Sequence, residues 1–496
     1  MKYDAVIIGS GLGGLQCGFI LSREGYNVCI IEKNSQLGGC LQTFRRRGTI
    51  FDTGMHYIGS MDHDQILERY FRYFGLSGRL KLKRMEEDGY DVIRYGKREY
   101  KFSMGYDLFR ETMLQYFPRE KEGLEKYILK LREIGKSADI FNPGVQKERQ
   151  TSYFDYFSTS MDDFLRSITS DPVLRNVLLG LSPLYSGVKE KTPLYIPMII
   201  HASFINSAYR FIDGGSQIAD LLAGSIKSGG GTIITKAEAT KLIFRSGSLA
   251  AVEINNSEII EGKLFISGIH PSSLLKIAGD SAFKPAYRSR IESIGETNGV
   301  FTLYMSMKKS RFPYINRNFY VFRTEDVWNA RSCREEKWPG GYMMHFTPSS
   351  DGEGHAGAVI VNTYMNLDEV SQWRDTITGR RGDEYNEFKL RKAERLFDAL
   401  ETEFPGIRSM TQHFHTSTPL TYRDYIGSPT GSIYGMQKDY NQPLRTMVMP
   451  RTRVPNLFLT GQNINVHGVL GVTLGSVLTC GEILGTAYIV DKMKKA

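Results

Sequence analysis

Cysteine and tryptophan are scarce in this sequence, whose 496 residues include only 5 Cys and 3 Trp. No two cysteines form a CxxC pair or the spacing of a metal site, so the sequence predicts neither a disulfide scaffold nor a metal centre. Reduced thiols are typical of intracellular proteins, and we therefore expect a cytoplasmic location. The cysteines are Cys17, Cys29, Cys40, Cys333 and Cys480.

Long apolar runs are missing as well. The richest one, LYIPMIIHASFI at 194–205, is interrupted by Pro197 and His201 and is too short to span a bilayer. The chain opens with the strand-like MKYDAVIIG and shows no cationic and then apolar leader. We therefore expect that any association with a membrane is peripheral.

Basic runs are short, although the net charge is +9 and the isoelectric point is about 9.0. The runs are Arg45-Arg46-Arg47, Arg380-Arg381 and Lys494-Lys495, and none resembles a nucleic-acid-binding arm. We therefore expect no nucleic-acid partner. Solvated faces explain most of the positive charge, and the functional alternative is a weak attraction to anionic lipid. The chain is long enough for two or three domains, and 41% of its residues are hydrophobic.

The first 32 residues have the order strand, glycine turn, helix, strand and acid. DAVII at 4–8 is a β-branched run, and a glycine-rich turn follows it directly. LQCGFILSREG at 15–25 has apolar residues at helical spacing and a glycine at its end. NVCII at 27–31 is a second buried-type strand, and it leads into Glu32. This order is typical of a dinucleotide-binding βαβ unit.

Each glycine of the turn has a physical reason. Gly9 allows the tight turn, Gly11 lets the backbone approach a pyrophosphate, and Gly14 lets the helix pack closely on the strand. The phosphates would face the helix N-terminus, and Glu32 would bond a ribose hydroxyl. The predicted cofactor contacts of this unit are Gly9, Gly11, Leu12, Gly13, Gly14, Glu32 and Lys33.

The next segment, KNSQLGGCLQTFRRRGTIFDTG at 33–54, resembles the FAD-binding superfamily of the amine oxidases, protoporphyrinogen oxidase and the carotenoid desaturases. There, an acid is followed by a short spacer, a glycine pair and a polar loop that passes the flavin. The resemblance implies flavin contacts from Gly38, Gly39, Gly54 and Met55.

Two later segments extend this resemblance. NLFLTGQNINVHGVLGVTLG at 456–475 is similar to the segment whose helix N-terminus lies under the flavin, which implies contacts from Gly461, Gln462, Gly471 and Val472. The superfamily usually has Asp where this chain has Gln462, although an amide can also bond a hydroxyl. RFIDGGSQIADLLAGSIKSGGGTIITKAEATKLIF at 210–244 is similar to the piece whose backbone, near Ala239, would contact the adenine. No second GxGxxG follows a strand, so no separate NAD domain is predicted.

Over nearly the whole chain the order of parts resembles the carotenoid (phytoene) desaturase and retinol saturase family. FDTGMHYIG at 51–59 is similar to the retinol saturase form of the loop, in which a His-Tyr pair follows DTG. Similarity also extends over 159–180, 381–407 and 417–435. The resemblance implies non-covalent FAD, an apolar polyene or isoprenoid substrate, and hydride exchange between flavin and carbon. The direction, saturation or desaturation, stays open, as does the oligomeric state.

The resemblance also implies a fold of class α/β, with a discontinuous Rossmann-like FAD-binding domain and a second α+β substrate domain. We expect the FAD-binding domain to comprise 1–65, 205–290 and 450–496. The substrate domain would comprise 66–204 and 291–449. Residues 66–204 would be mostly helical and would form a lid that is a candidate for membrane contact.

The loop TIFDTGMHYIGS at 49–60 should pass close to the flavin, which makes His56 and Tyr57 the candidate catalytic residues. Either side chain could supply the proton of a saturase. Each could equally bond the flavin carbonyls or brace the loop. Asp52 fits a turn residue better than a catalytic acid.

Other histidines are weaker candidates. His413 and His415 would lie on one face of a strand, but no acid or cysteine accompanies them, so a metal site is disfavoured. His467 could contact the cofactor or be exposed to solvent. The Arg-Gly-Asp sequence at 381–383 is predicted to be a helix start.

Three other activities remain alternatives. A carotenoid desaturase or flavin-dependent isomerase would belong to the same group, and an amine oxidase would need an aromatic cage around the flavin. A carrier of prenyl-type lipids, as in the Rab escort proteins, would share the fold without flavin catalysis. Because this chain retains all three turn glycines and Glu32, an oxidoreductase is the preferred hypothesis.

Overall fold

The computed structural model describes residues 2–137, 154–309, 311–332, 335–348 and 354–496. The strands are β1 (Lys2–Ile8), β2 (Val28–Ile31), β3 (Thr43–Arg46), β4 (Thr49–Asp52), β5 (Ile58–Gly59), β6 (Leu82–Arg84), β7 (Asp91–Tyr95), β8 (Arg98–Phe102), β9 (Ala208–Phe211), β10 (Thr232–Ile234), β11 (Ala239–Arg245), β12 (Ser248–Ile254), β13 (Glu258–Ser267), β14 (Gly299–Met307), β15 (Asn318–Phe322), β16 (Gly341–Thr347), β17 (Ala358–Met365), β18 (Thr411–Ser417) and β19 (Leu457–Leu459).

The α-helices are α1 (Leu12–Arg23), α2 (Ile66–Tyr73), α3 (Tyr106–Tyr116), α4 (Lys121–Ser137), α5 (Met161–Ile168), α6 (Pro172–Leu178), α7 (Tyr195–Asn206), α8 (Ser216–Ser228), α9 (Pro271–Ala278), α10 (Pro285–Glu292), α11 (Asp383–Glu403), α12 (Ile407–Met410), α13 (Pro419–Ile426), α14 (Pro443–Thr446), α15 (Gly468–Leu484) and α16 (Thr486–Lys494). Among the described helices, none combines the length and the apolar character needed to cross a membrane.

The first seven-stranded sheet has the order β10-β2-β1-β13-β12-β11, and β19 pairs with the C-terminal end of β13. β10, β2, β1, β13 and β19 run parallel, so their carboxyl ends lie at one edge. The helices α1 and α15 are joined by a buried hydrogen bond of 2.8 Å from the Gln16 amide to the Thr473 hydroxyl. The strand, turn, helix and strand predicted for the N-terminus are therefore present, and a Rossmann-like arrangement is confirmed.

The second seven-stranded sheet has the order β18-β14-β17-β16-β15-β7-β8. Its neighbours are antiparallel except for β15 and β7. Side chains alternate across it: Phe301, Leu303 and Met305 of β14 pack in a core with residues of α11, whereas Val300 faces a cavity on the opposite side. One face of this sheet is thus covered by a long helix, and the other is available to a ligand.

The described residues between 66 and 204 form six α-helices and three strands. The helices α2 to α7 account for much of the described part, but β7 and β8 leave this segment to join the second sheet, and β6 joins a small sheet with β5 and β9. The sequence analysis did not anticipate these strands, because β7 pairs with β15, which lies more than 200 residues further along the chain. The domain boundaries themselves stay a prediction.

Candidate cofactor and active site

The glycine turn between β1 and α1 has the geometry that a bound pyrophosphate requires. Gly9 has φ +97°, a conformation that side chains rarely adopt. A Cβ on Gly14 would lie 2.1 Å from the carbonyl oxygen of Gly9, so the helix can approach the turn only without a side chain. A Cβ on Gly11, by contrast, would meet no heavy atom within 4 Å. Gly11 therefore borders open space in front of the N-terminus of α1, where an anionic group would fit.

Two further glycine segments close around this turn. A Cβ on Gly13 would lie 2.9 Å from the backbone nitrogen of Gly461, which brings the segment after β19 against the start of α1. Gly38 and Gly39 both have positive φ, and a Cβ on Gly39 would lie 3.3 Å from the Cα of Gly11. These three parts of the chain, far apart in sequence, form one backbone-lined cradle.

Glu32 stands at the end of β2 and is buried. One of its carboxylate oxygens accepts from the backbone nitrogen and the hydroxyl of Ser10, at 3.0 and 2.6 Å. The other accepts from the backbone nitrogen of Asn34 at 2.8 Å. These bonds fix the carboxylate at the rim of the cradle, where lone pairs remain for a ribose hydroxyl. The ammonium group of Lys33 instead donates to the carbonyl of Asp424 at 2.7 Å.

One cavity of about 590 Å³, called here the central cavity, begins at this cradle and extends to the second sheet. All of the predicted cofactor contacts except Gly471 line it. They are Gly9, Gly11, Leu12, Gly13, Gly14, Glu32, Lys33, Gly38, Gly39, Gly54, Met55, Ala239, Gly461, Gln462 and Val472. Ala239 begins β11, and two residues before it the backbone nitrogen of Ala237 donates to the carbonyl of Glu32 at 2.9 Å. The cavity thus gathers residues whose separation in sequence exceeds 450 positions.

The far end of the central cavity is built by the second sheet. Its lining there is apolar and aromatic with few polar groups, which is the character of pockets for apolar small molecules. The side chains at this end are Pro183, Val300, Phe322, Ala330, Met343, Asn362, Tyr364, Tyr422, Ile433 and Tyr434. A ligand that is long and apolar would find no charged side chain in this set.

His56 lines the central cavity beside Met55, as predicted from the loop. Its Nε2 lies 3.2 Å from the amide nitrogen of Asn362, and its ring contacts that of His345, with centroids 3.9 Å apart and planes tilted by 42°. Burial, together with the nearby charge of Arg210, lowers the pKa of His56 to about 3. The same causes, and the charge that His56 would carry, lower the pKa of His345 well below its usual value. Both imidazoles are therefore neutral at physiological pH.

Tyr57 points away from the central cavity. Its hydroxyl donates to a carboxylate oxygen of Asp91 at 2.8 Å and lies 2.8 Å from the hydroxyl of Tyr320. Burial raises the pKa of Asp91 to about 7, although Asn318 and Tyr57 both bond its carboxylate. This buried network joins the loop to β7 and β15, which favours the bracing role over proton donation for Tyr57.

Three other candidates, Gly471, His467 and Asp52, are buried. Gly471 and His467 line a small apolar cavity of about 120 Å³ next to the central one. His467 is buried rather than exposed to solvent, and its Nε2 lies 2.9 Å from the carbonyl oxygen of Leu184; a contact with the cofactor stays a prediction. Asp52 ends β4 and accepts from the backbone nitrogen of Gly215 at 2.7 Å.

The histidines of β18 show no sign of a metal site. His413 lies 2.9 Å from the guanidinium of Arg47, and His415 lines a separate cavity. Within the described ranges, no group of three or more potential ligands could hold an ion. The Arg-Gly-Asp sequence does begin a helix, with Gly382 at its N-cap, as predicted.

Several lining residues were not predicted from the sequence. Tyr422 and Tyr434 belong to the segment 417–435, whose family resemblance could have pointed to them. His345 and Asn362 lie on β16 and β17 and carry no local motif, so only the pairing of these strands places them beside His56.

Comparison with known proteins agrees with this geometry. Residues 7–74 match the family model described as an NAD(P)-binding Rossmann-like domain. The human all-trans-retinol 13,14-reductase is 26% identical over 97% of this chain and 86% of its own length. The zebrafish (Danio rerio) all-trans-retinol 13,14-reductase is 23% identical over the same shares. Prolycopene isomerase 1 of an Oncidium hybrid cultivar is 24% identical over 99% of this chain and 85% of its own length.

Solved structures show the same fold at low identity. An oxidoreductase from Methanosarcina mazei superposes with a TM-score of 0.64 at 16% identity, covering 96% of this chain and 99% of the other. Putrescine oxidase bound to putrescine superposes with a TM-score of 0.64 at 13% identity, covering 100% and 99%. The predicted amine oxidase type of architecture is therefore confirmed, and the chain is an oxidoreductase with a Rossmann-like dinucleotide-binding domain.

Proposed function

We propose that this chain, which resembles the carotenoid desaturase and retinol saturase family, binds FAD and adds or removes hydrogen at a carbon–carbon double bond of an apolar polyene. The relatives with the retinol 13,14-reductase name span nearly the whole chain, which supports the saturase-like direction. The prolycopene isomerase relative keeps isomerisation as the runner-up of the same group.

One observation carries the proposal: a single cavity joins the glycine cradle to an apolar chamber on the second sheet. The dinucleotide end is lined by backbone and by Glu32, which suits phosphates and a ribose. The sheet end is lined by residues such as Val300, Phe322 and Met343, which suit a hydrocarbon. A bound flavin would supply the hydride chemistry, and the protein would align the substrate carbon and exclude water.

The side chains at the junction have positioning roles. Asn362 lies on β17 and presents its amide to His56, which holds the loop of Met55 and His56 against the sheet. The hydroxyl of Tyr422 donates to the carbonyl of Thr53 at 2.9 Å and holds the same loop from α13. The neutral imidazole of His56 can donate or accept one hydrogen bond, but it carries no charge to offer a developing anion.

The experiment begins with the purified protein, which should be yellow or should take up FAD with absorbance bands at about 375 and 450 nm. After anaerobic reduction of the flavin, all-trans-retinol and longer polyenes are added in turn. Reoxidation of the flavin by a polyene, with a dihydro product found by mass spectrometry, is the expected result for a saturase. Bleaching of the oxidised protein by a more saturated polyene would instead assign desaturation.

Two outcomes would overturn the proposal. A protein that takes up no FAD would favour a carrier of apolar molecules that has this fold without flavin catalysis. A flavoprotein whose reduced flavin reacts with amines or oxygen but with no polyene would keep the cofactor and refute the substrate class. An isomerised product without net redox change would select the runner-up.

A further inference from the structure

A second cavity of about 500 Å³, called here the side cavity, lies against the opposite side of α13 from the central cavity. It is bounded by β3, β18, α11 and α13. Tyr422, Tyr425 and Ile426 line both cavities, so one turn of α13 is the wall between them. Because the Tyr422 hydroxyl is bonded to the carbonyl of Thr53, this wall is closed in the structure.

Aromatic side chains form much of the apolar part of the side cavity, whose lining also contains uncharged polar residues. Phe44 and Tyr304 meet edge to face with ring centroids 4.9 Å apart, and Phe414 lines the cavity from β18. At the rim, Leu390 is 50% exposed and Tyr425 is 48% exposed. Exposed apolar side chains at the mouth of an apolar cavity indicate a binding site for a hydrocarbon.

The charged side chains that line the side cavity are all positive. Arg46 and Lys389 line the cavity, and the lining contains no Asp or Glu. In the part of the chain that the structure describes, neither cation forms an ion pair with a carboxylate, and Lys389 lies 4.9 Å from the ring of Tyr385 instead. Burial, with the charge of Arg381, lowers the pKa of Lys389 below its usual value. Lys389 is partly buried, and such a cation is costly unless an anion joins it, whereas Arg46 is exposed to solvent.

His415 adds a further open hydrogen-bonding position. Its Nε2 is buried and makes no hydrogen bond to the described residues, and its ring lines the side cavity from β18. Burial lowers the pKa of His415, and the charges of Arg46, Arg47 and Lys389 act in the same direction. This arrangement places two unpaired cations and one unsatisfied imidazole at the edge of an apolar chamber.

We propose that the side cavity binds an elongated apolar molecule with a single anionic head group, such as a long-chain carboxylate. The head group pairs with Arg46 and Lys389 and reaches His415, while the hydrocarbon lies against Phe44 and Tyr304. The site is separate from the central cavity and does not depend on the reaction carried out there. Its occupant is a monomeric acid, since a cavity of about 500 Å³ has the size of a site for one small molecule.

The test measures binding of oleate to the purified holoprotein, with the carboxyl carbon labelled with ¹³C and followed by NMR. Oleate should give a shifted, slowly exchanging carboxylate signal, and oleyl alcohol should compete at least tenfold more weakly. Arg46→Met combined with Lys389→Met should weaken oleate binding at least tenfold, while the flavin absorbance stays that of the unchanged protein. Leu390→Glu should weaken it as well, because it adds a negative charge at the rim.

Two matched controls localise the effect. Arg45→Met removes an exposed arginine next to Arg46 that does not line the side cavity, so oleate binding should not change. Leu129→Glu makes the same substitution as Leu390→Glu at a leucine that is 66% exposed on α4, and it should also leave binding unchanged.

Three results would overturn the proposal. Equal affinity for oleate and oleyl alcohol would remove the role of the charges. An unchanged affinity in the Arg46→Met, Lys389→Met double variant would place the acid elsewhere, the central cavity included. Binding to vesicles of phosphatidylcholine and phosphatidylserine, without binding of monomeric oleate, would assign the cations and the exposed Leu390 and Tyr425 to a membrane surface instead.

Discussion

Gly14→Ala and Gly11→Ala should affect different properties, folding stability and FAD binding, although both positions belong to the same turn. A Cβ at Gly14 would lie 2.1 Å from the carbonyl oxygen of Gly9, which is backbone and cannot turn away. A Cβ at Gly11 would meet no atom within 4 Å, because it borders the central cavity. Gly14→Ala should therefore disturb the folded protein itself, whereas Gly11→Ala should disturb only what binds in front of it.

The magnitudes follow from these contacts. Alanine gains about 1 kcal/mol of intrinsic helix propensity over glycine, but overpacking typically costs about 1–3 kcal/mol, and more against rigid backbone. We expect Gly14→Ala to lose about 2 kcal/mol net, which lowers the Tm by about 4–8 °C at roughly 2–4 °C per kcal/mol. Gly11 is the N-cap residue of α1 and has an extended ψ of 169°. Gly11→Ala should therefore lower the free energy of unfolding by less than about 1 kcal/mol.

The assay separates stability from binding. Thermal unfolding of the flavin-free variants gives the first quantity, and titration with FAD, followed by quenching of flavin fluorescence, gives the second. Gly11→Ala should weaken FAD at least tenfold, about 1.4 kcal/mol, because the methyl group occupies the approach of the pyrophosphate. If Gly11→Ala binds FAD normally, or if both variants unfold at the same temperature, the assignment of the cradle is wrong.

Three further predictions concern the two ends of the site. His56→Gln should keep FAD and most of the turnover. The turnover of the wild type should show no ionisation from His56 between about pH 5 and pH 8, because the pKa of His56 is about 3. A tenfold loss of kcat in the variant would instead show that His56 is a catalytic residue. The pKa of Asp91 is raised to about 7, so its stabilising contribution is full below about pH 4 and is lost as the pH rises through about 7. The Tm difference between Asp91→Asn and wild type should therefore shift in favour of the variant from about pH 4 to about pH 8, and a constant difference would contradict the raised pKa. Val300→Phe should narrow the chamber and lower kcat/KM for a polyene at least tenfold, while the affinity for FAD stays unchanged. Equal losses in kcat/KM and in FAD affinity would mean that the substitution distorts the whole site.

The cradle could be predicted because its signal is local. Gly9, Gly11, Gly14 and Glu32 lie within 24 consecutive residues, and each has a role that depends on the backbone of its neighbours. The segment after β19 was recognisable for the same reason, since a strand, a glycine and a helix start follow one another there.

The substrate end could not be predicted in this way. Its chamber is formed by residues on β14 to β17, and no short motif marks which side chain of a strand faces a ligand. The pair of His56 and His345 exists because β16 lies next to β17 in register, which places His345 opposite Ile360. Tyr57 was assigned to the active site from its neighbour, but successive residues of an extended segment point to opposite sides, so His56 and Tyr57 face different surroundings.

The titration behaviour of the central cavity limits how a proton could reach a substrate there. At the sheet end, burial lowers the pKa of His56 to about 3 and raises those of Tyr364, Tyr422 and Tyr434. It also raises the pKa of Cys40, which lies beside them, to about 11. None of these groups changes charge near neutrality, so none of them should add an ionisation to the pH–rate profile between about pH 5 and pH 8. In a saturation, the proton would therefore reach the substrate through a neutral tyrosine hydroxyl or through a water in contact with solvent. The reaction rate should then show a larger change on replacing H₂O by D₂O than on changing the pH.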